Sequence, residues 1–125
     1  MNREAVNPGH APLKLPFSPG IKYGELVFVS GQGPIDANGK VIAGDIRVQT
    51  QRTLENFSHV LAAAGSSMQN VLQTTVYLAD LNDFEGMNEA YSPFFHDPKP
   101  ARTTVRADLL FGMKVEIQGI AFVRT

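Results

Sequence analysis

The chain has 125 residues, of which 43% are hydrophobic and 18% are charged, and its formal net charge is −1. These values predict one folded domain over residues 1–125 with a core of ordinary size, and they exclude an intrinsically disordered chain. The near-neutral charge argues against a dedicated nucleic-acid binder, and the absence of cysteine excludes disulfides, thiolate metal sites and a cysteine nucleophile.

The sequence contains no apolar leader at its start and no stretch that approaches the ~20 apolar residues of a membrane span. We therefore expect an untargeted, cytoplasmic protein without a membrane partner. The three histidines are scattered and form no HxH or HExxH motif, so we also expect no metal site.

The first third of the chain predicts one clear strand. Residues 1–14 suggest an irregular lead-in, and 16–20 form a second proline-rich stretch before a turn at 22–25. The β-branched and aromatic run at 26–30 is typical of a strand. It ends in Gly31-Gln-Gly33, which is either a plain exit into a loop or a place where a ligand approaches the backbone. After a turn at Asn38-Gly39, Val41 and Ile42 suggest a short apolar return.

Two helices follow, separated by a strand at 71–77. Asp45 can cap a helix over 46–64 that Gly65 terminates. Asn82 with Glu85 resembles a capping box for the second helix. Pro93 should end or kink that helix, whose apolar stripe predicts a core-facing surface. The stripe consists of Phe84, Met87, Tyr91, Phe94 and Phe95.

Two further strands, at 103–107 and 115–123, place one arginine and one glutamate in strand-like sequence. Period-2 geometry puts Glu116 on the face opposite the core, and Arg102 opens the earlier strand directly after Pro100-Ala101. If these two strands pair, Arg102 and Glu116 share a face. The pair is then either an ordinary surface ion pair, or an anion-binding arginine beside a carboxylate that handles a proton or a water molecule.

The element order therefore reads β-β-α-β-α-β-β, which predicts an α+β sandwich of two layers with two helices packed on one face of a mixed sheet. The opposite face carries Ile120 and Phe122 beside Glu116. These exposed apolar side chains suggest that this face meets another subunit.

Four ordered motifs resemble the reactive intermediate deaminase family, also called the Rid or YjgF family. The C-terminal match is PKPARTTV at 98–105 followed by KVEIQGIAFV at 114–123. The others are VSGQ at 29–32, TTVYLADLNDF at 74–84 and NEAY at 88–91. Together they cover nearly the whole chain.

The resemblance implies a chorismate mutase-like fold and a homotrimer with pockets between neighbouring subunits. It implies hydrolytic deamination of reactive 2-imino and enamine acids to 2-oxo acids and ammonia, without a cofactor. Arg102 and Glu116 are the catalytic candidates that this resemblance indicates. The residues that it assigns to substrate binding are Phe17, Ser30, Gly31, Asn88 and Thr104.

Two positions depart from the best-characterised branch of the family, which has tyrosine where this chain has Phe17 and cysteine where it has Thr104. The first change removes a hydroxyl and makes the pocket less polar, which suggests a bulkier substrate as one alternative. Two others are a non-catalytic protein that binds small carboxylates and an endoribonuclease or translation inhibitor. The near-neutral charge makes direct chemistry on RNA the weaker of these.

Overall fold

The computed structural model describes residues 2–9 and 15–124, and the expectations for residues 1 and 10–14 lie outside the described residues. The described chain forms one six-stranded sheet in the order β1-β2-β3-β6-β4-β5. Only β4 and β5 run parallel to each other, so the sheet is mixed. The strands are β1 Glu4–Val6, β2 Gly20–Tyr23, β3 Leu26–Gln32, β4 Val71–Leu78, β5 Ala101–Arg106 and β6 Val115–Phe122, and the helices are α1 Ile46–Ala63 and α2 Phe84–Tyr91.

The predicted fold class, an α+β protein with two helices packed on a mixed sheet, is confirmed, although three strands rather than two precede α1. β1 forms in the expected irregular lead-in, and β2 forms in part of the expected proline-rich stretch and turn. The expected return at Val41 is a single bridge to Ile35. Strands of three and four residues carry too few side chains for an alternating pattern, and pairing with β3 and with each other holds them in place.

Helix α1 begins and ends within a residue of the prediction. The side chain of Asp45 accepts a hydrogen bond from the backbone N of Val48 at 3.1 Å, which caps the first turn. Gly65 follows the helix with a φ of +83°, a conformation that glycine adopts at no steric cost. The buried face includes Leu54 and Phe57, both with no exposed surface, and it covers the sheet.

Helix α2 begins differently from the prediction. The expected capping box does not form: Asp80, rather than Asn82, provides the side-chain cap, and it accepts from the backbone N of Asn82 at 2.8 Å to start a single turn before the helix. The side chain of Asp83, at the helix start, makes no capping bond. Helix α2 ends at Tyr91 and passes into a turn that contains Pro93, as predicted.

The sheet has a helix-facing side and an open side, which alternate along β6 as predicted. Val115, Ile117 and Ala121 are buried on the helix-facing side, whereas Glu116 and Gln118 lie on the open side. The open side also carries apolar side chains without a covering layer among the described residues. They are Leu26, Phe28, Val105, Ile120 and Phe122, and Phe28 is 41% exposed.

Candidate active site

Glu116 lies in the middle of the sheet on its open side, paired with Tyr77 of β4. Its side chain turns toward β3 and covers Gly31, so that a Cβ atom placed on Gly31 would stand 2.9 Å from Cδ of Glu116. Burial raises the pKa of the Glu116 carboxyl above its ordinary value. Within the described chain this carboxyl group accepts no hydrogen bond, so its oxygens are available to a ligand or a water molecule.

Gly31 leaves room for that carboxyl group because it has no side chain. It lies within an irregularity in the pairing of β3 with β6, between Val29 and Gln32. Its φ lies outside the left-handed region. Space rather than backbone conformation therefore explains glycine at this position.

Ser30 holds the neighbouring segment against β3. Its Oγ donates to the backbone O of Ser18 at 2.6 Å, and its backbone N donates to the O of Pro19 at 3.0 Å. These two bonds anchor the residues directly after Phe17, whose ring is 59% exposed. Phe17 and Gly31 both line one cavity of about 690 Å³, which residues of α1 also line.

Arg102 lies on the edge strand β5, aligned with Thr74 of β4. Its guanidinium carbon lies 4.8 Å from the ring centroid of Tyr91 and 5.7 Å from that of Phe84, and Nη1 lies 3.9 Å from Sδ of Met87. The Tyr91 hydroxyl is fixed in turn by a 2.7 Å hydrogen bond to Oγ1 of Thr74. The aromatic contacts orient the guanidinium group, and no described carboxylate accepts a hydrogen bond from its parallel N–H donors.

Asn88 and Thr104 flank this arginine. Thr104 follows Arg102 by two residues on the same side of β5, aligned with the buried Val76. Asn88 lies on α2 four residues after Phe84 and three before Tyr91, so it shares the helix face that contacts Arg102. Both side chains are half-buried.

The candidate residues therefore form two groups, and their strand residues Glu116 and Arg102 lie on opposite sides of the sheet, whereas Phe17 lies outside the strands beside a cavity that α1 also lines. The glutamate group is Phe17, Ser30, Gly31 and Glu116, and the arginine group is Asn88, Arg102 and Thr104. The expectation that Arg102 and Glu116 share a face of paired strands is wrong, because β4 lies between β5 and β6. Arg102 aligns with Thr74 and Glu116 with Tyr77, three residues further along β4, and an odd spacing on a strand means opposite faces.

The sequence reasoning missed the contacts that hold Arg102. Phe84 was expected to be core, but it is 42% exposed and stacks against the arginine. Tyr91 and Met87 are buried as expected and contact the arginine as well. The available signal was that the NEAY motif and the apolar stripe share Tyr91.

Across residues 2–9 and 15–124, no cluster of three or more histidine, cysteine, aspartate or glutamate side chains could hold a metal ion. In the same ranges no helix is long and apolar enough to span a membrane.

The chain is a small α+β protein in which Arg102 lies against aromatic rings and the half-buried Glu116 lies on the opposite side of the same sheet. Residues 9–123 match the family model described as Endoribonuclease L-PSP. The chain belongs to this family, which is the YjgF or Rid family that the motifs indicated.

Several relatives are similar over almost the whole chain. A RutC family protein of Pyrococcus abyssi is 43% identical over 125 residues, which cover 98% of each chain. Reactive Intermediate Deaminase A of Arabidopsis thaliana, a chloroplastic protein, is 40% identical over 97% of this chain and 66% of its own. Yeast Mmf1 superposes with a TM-score of 0.92 at 30% identity and with 98% and 100% coverage of the two chains. E. coli TdcF, solved with bound serine, superposes with a TM-score of 0.86 at 35% identity and with 98% and 99% coverage.

Proposed function

We propose that this protein hydrolyses 2-imino acids, together with their enamine tautomers, to 2-oxo acids and ammonia. Water adds to the C2 carbon of the C=N bond, and the carbinolamine that forms breaks its C–N bond to give the 2-oxo acid and ammonia. No electron is transferred, and the substrate supplies the electrophilic carbon. The residues needed are one that binds a carboxylate and one that moves protons.

One observation carries this proposal: the guanidinium group of Arg102 and the carboxyl group of Glu116 are both available to bind a substrate. Within the described residues Arg102 contacts rings and a sulfur atom but no carboxylate, and Glu116 has no hydrogen-bond donor against it. The surface ion-pair interpretation required these two side chains to meet each other, and they do not. An arginine and a half-buried glutamate that remain available suit a substrate with one carboxylate and one hydrolysable carbon.

The roles follow from the chemistry of the two groups. Arg102 binds the substrate carboxylate through two parallel hydrogen bonds, a geometry that its planar guanidinium group allows. Glu116 positions and deprotonates the attacking water and then returns the proton to the departing ammonia, for which a raised pKa is suited. Asn88 and Thr104 contact the substrate beside Arg102, and Gly31, with Ser30 and Phe17, bounds the space beside Glu116.

The site is completed between two chains of a homotrimer. Arg102 and Glu116 lie on opposite sides of the sheet, with β4 between their strands, so one chain does not bring them to one substrate. The uncovered apolar side chains of the open side, including Phe28 and Phe122, support burial against neighbouring subunits. In this arrangement the arginine group of one chain faces the glutamate group of the next.

The name of the family model favours endoribonuclease activity as a second candidate. A net charge of −1 provides little attraction for a polyanion, and the candidate cation Arg102 lies over the rings of Tyr91 and Phe84. A non-catalytic carboxylate-binding protein would use Arg102 in the same way but would not need Glu116. We therefore favour the deaminase and keep cytoplasmic localisation as a prediction.

The test follows imino acids that an amino acid oxidase generates in the presence of semicarbazide, which traps the imine before it hydrolyses. Wild-type protein should lower the trapped signal, and both Arg102→Ala and Glu116→Gln should restore it. Arg47→Ala is the matched control, because Arg47 forms an exposed ion pair with Glu89 at 2.8 Å and such pairs contribute little to stability.

Each outcome separates the candidates. If wild type does not lower the trapped signal for any imine, and 2-oxo acids bind to wild type but not to Arg102→Ala, the protein binds carboxylates without turnover. Cleavage of a labelled RNA that survives Arg102→Ala and Glu116→Gln would instead support a nuclease. Equal trapping with wild type and Glu116→Gln would remove Glu116 from the mechanism.

A further inference from the structure

The cavity of about 690 Å³ lies between the loop after β3 and one face of α1. It adjoins the glutamate group, because Phe17 and Gly31 line it and the carboxyl group of Glu116 lies against Gly31. A molecule held beside Glu116 would therefore have this cavity next to it. Its volume is that of a pocket for a ligand much larger than a methyl or ethyl group.

Several of the polar groups around the cavity are already occupied. Nε of Arg52 donates to the backbone O of Ile35 at 3.1 Å, and Nδ2 of Asn56 donates to the backbone O of Gly33 and of Ile35, both at 2.9 Å. Asp36 accepts from the backbone N of Asn38 and of Lys40. These bonds tie the loop to α1 and to itself, so they shape the cavity and leave fewer polar atoms for a ligand.

Most of the remaining lining is apolar, although the side chains of Gln32, Asn38 and His59 also reach the cavity. The apolar lining includes Leu15, Phe17, Pro19 and Ile35, with Pro8 at one side. The Phe17 ring is more than half exposed, so it can cover a side chain that enters from the direction of Gly31. An aromatic or branched aliphatic group would bury apolar surface on these residues.

We propose that this cavity is the side-chain subsite of the deaminase and that the substrates it favours are 2-imino acids with large apolar side chains, aromatic or branched. The inference rests on the proposed function, since it assumes that C2 of the substrate lies beside Glu116. It assigns specificity to Phe17, Ile35 and the loop that Arg52 and Asn56 hold in place. A buried methylene contributes roughly fourfold to kcat/KM, so burial of the equivalent of about two to three methylenes of a benzyl group should give a preference over a methyl group on the order of 10- to 100-fold.

The experiment compares kcat/KM for the imines made from phenylalanine and from alanine, each measured against its own protein-free rate. Ala37→Trp introduces a large side chain at an exposed, cavity-lining position, and Ala62→Trp is the matched control at an exposed position on α1. Wild type should prefer the phenylalanine-derived imine by 10-fold or more, and Ala37→Trp should abolish that preference while Ala62→Trp retains it. Asn38→Trp, at the adjacent exposed position, replaces Ala37→Trp if the latter does not fold.

The results distinguish this inference from the function on which it rests. One contrary result is that wild type hydrolyses the alanine-derived imine without preferring the phenylalanine-derived imine, and another is that this preference is unchanged when the cavity is filled. Either result would refute the proposed subsite and leave the proposed deaminase activity intact. If neither imine is hydrolysed by wild type, the proposed function fails and the subsite falls with it. A preference that the folded Ala37→Trp and Asn38→Trp variants both retain would place the substrate side chain elsewhere.

Discussion

Replacing Gly31 by alanine should displace Glu116 without unfolding the protein. The new Cβ would stand 2.9 Å from Cδ and 3.2 Å from Cγ of Glu116, whereas ordinary contact begins at 3.4 Å. Cδ must therefore move by at least about 0.5 Å, and the carboxyl oxygen nearest to Gly31 by more. Misplacement of a catalytic group by about 1 Å lowers turnover by roughly 10²-fold, which is the effect we expect on kcat.

The fold should tolerate this change, because Gly31 is exposed, its φ lies outside the left-handed region, and the clash is with the end of a flexible side chain. The assay is imine trapping, with a double-mutant cycle of Gly31→Ala and Glu116→Gln. If alanine acts through Glu116, the double variant should be no slower than Glu116→Gln alone. Wild-type turnover by a folded Gly31→Ala variant, or fully additive losses in the cycle, would refute the reasoning.

Three further predictions concern stability, measured by denaturant unfolding at fixed protein concentration. Tyr91→Phe should lower the free energy of unfolding by about 1–2 kcal/mol, because Oγ1 of buried Thr74 loses its 2.7 Å partner, and an unchanged midpoint would contradict this. Gly119→Ala should lower it by about 1–3 kcal/mol or prevent folding, since a Cβ would lie 2.6 Å from the backbone O of Gln73 and 2.9 Å from Cζ of Phe57. The pKa of Glu116 is raised in the folded state, so the native protein binds more protons than the unfolded chain between the ordinary pKa of 4.5 and the raised value. The stability of wild type should therefore fall relative to that of Glu116→Gln as pH rises through this range. A difference that does not change with pH would mean that burial of Glu116 has no such effect.

Local signals in the sequence were sufficient for the elements that bury a regular pattern. The alternation along 115–123 correctly placed Glu116 opposite the core, since eight residues of strand sample each face four times. Asp45 and Gly65 bounded α1 to within a residue because caps act through neighbouring backbone groups. By contrast, β1 and β2 are too short to carry a pattern.

The relation between Arg102 and Glu116 could not be predicted in this way. It depends on the insertion of β4 between β5 and β6 and on the register of each pairing, which are set by packing between distant parts of the chain. The contact of Arg102 with Tyr91 is likewise a tertiary contact that no local pattern reveals. Family motifs indicated the candidate residues, and the topology separates Arg102 from Glu116 within one chain.

We propose that the arginine group of one chain and the glutamate group of another form each active site. Arg102→Ala and Glu116→Gln subunits, each inactive alone, should be mixed in equal amounts under dissociating conditions and reassembled, with assembly checked by size. In randomly mixed trimers about a quarter of the interfaces then combine an intact Arg102 with an intact Glu116. The mixed trimers should therefore recover about a quarter of wild-type imine hydrolysis. Reassembled mixed trimers that remain as inactive as either parent would contradict it, because the site would then lie within one chain.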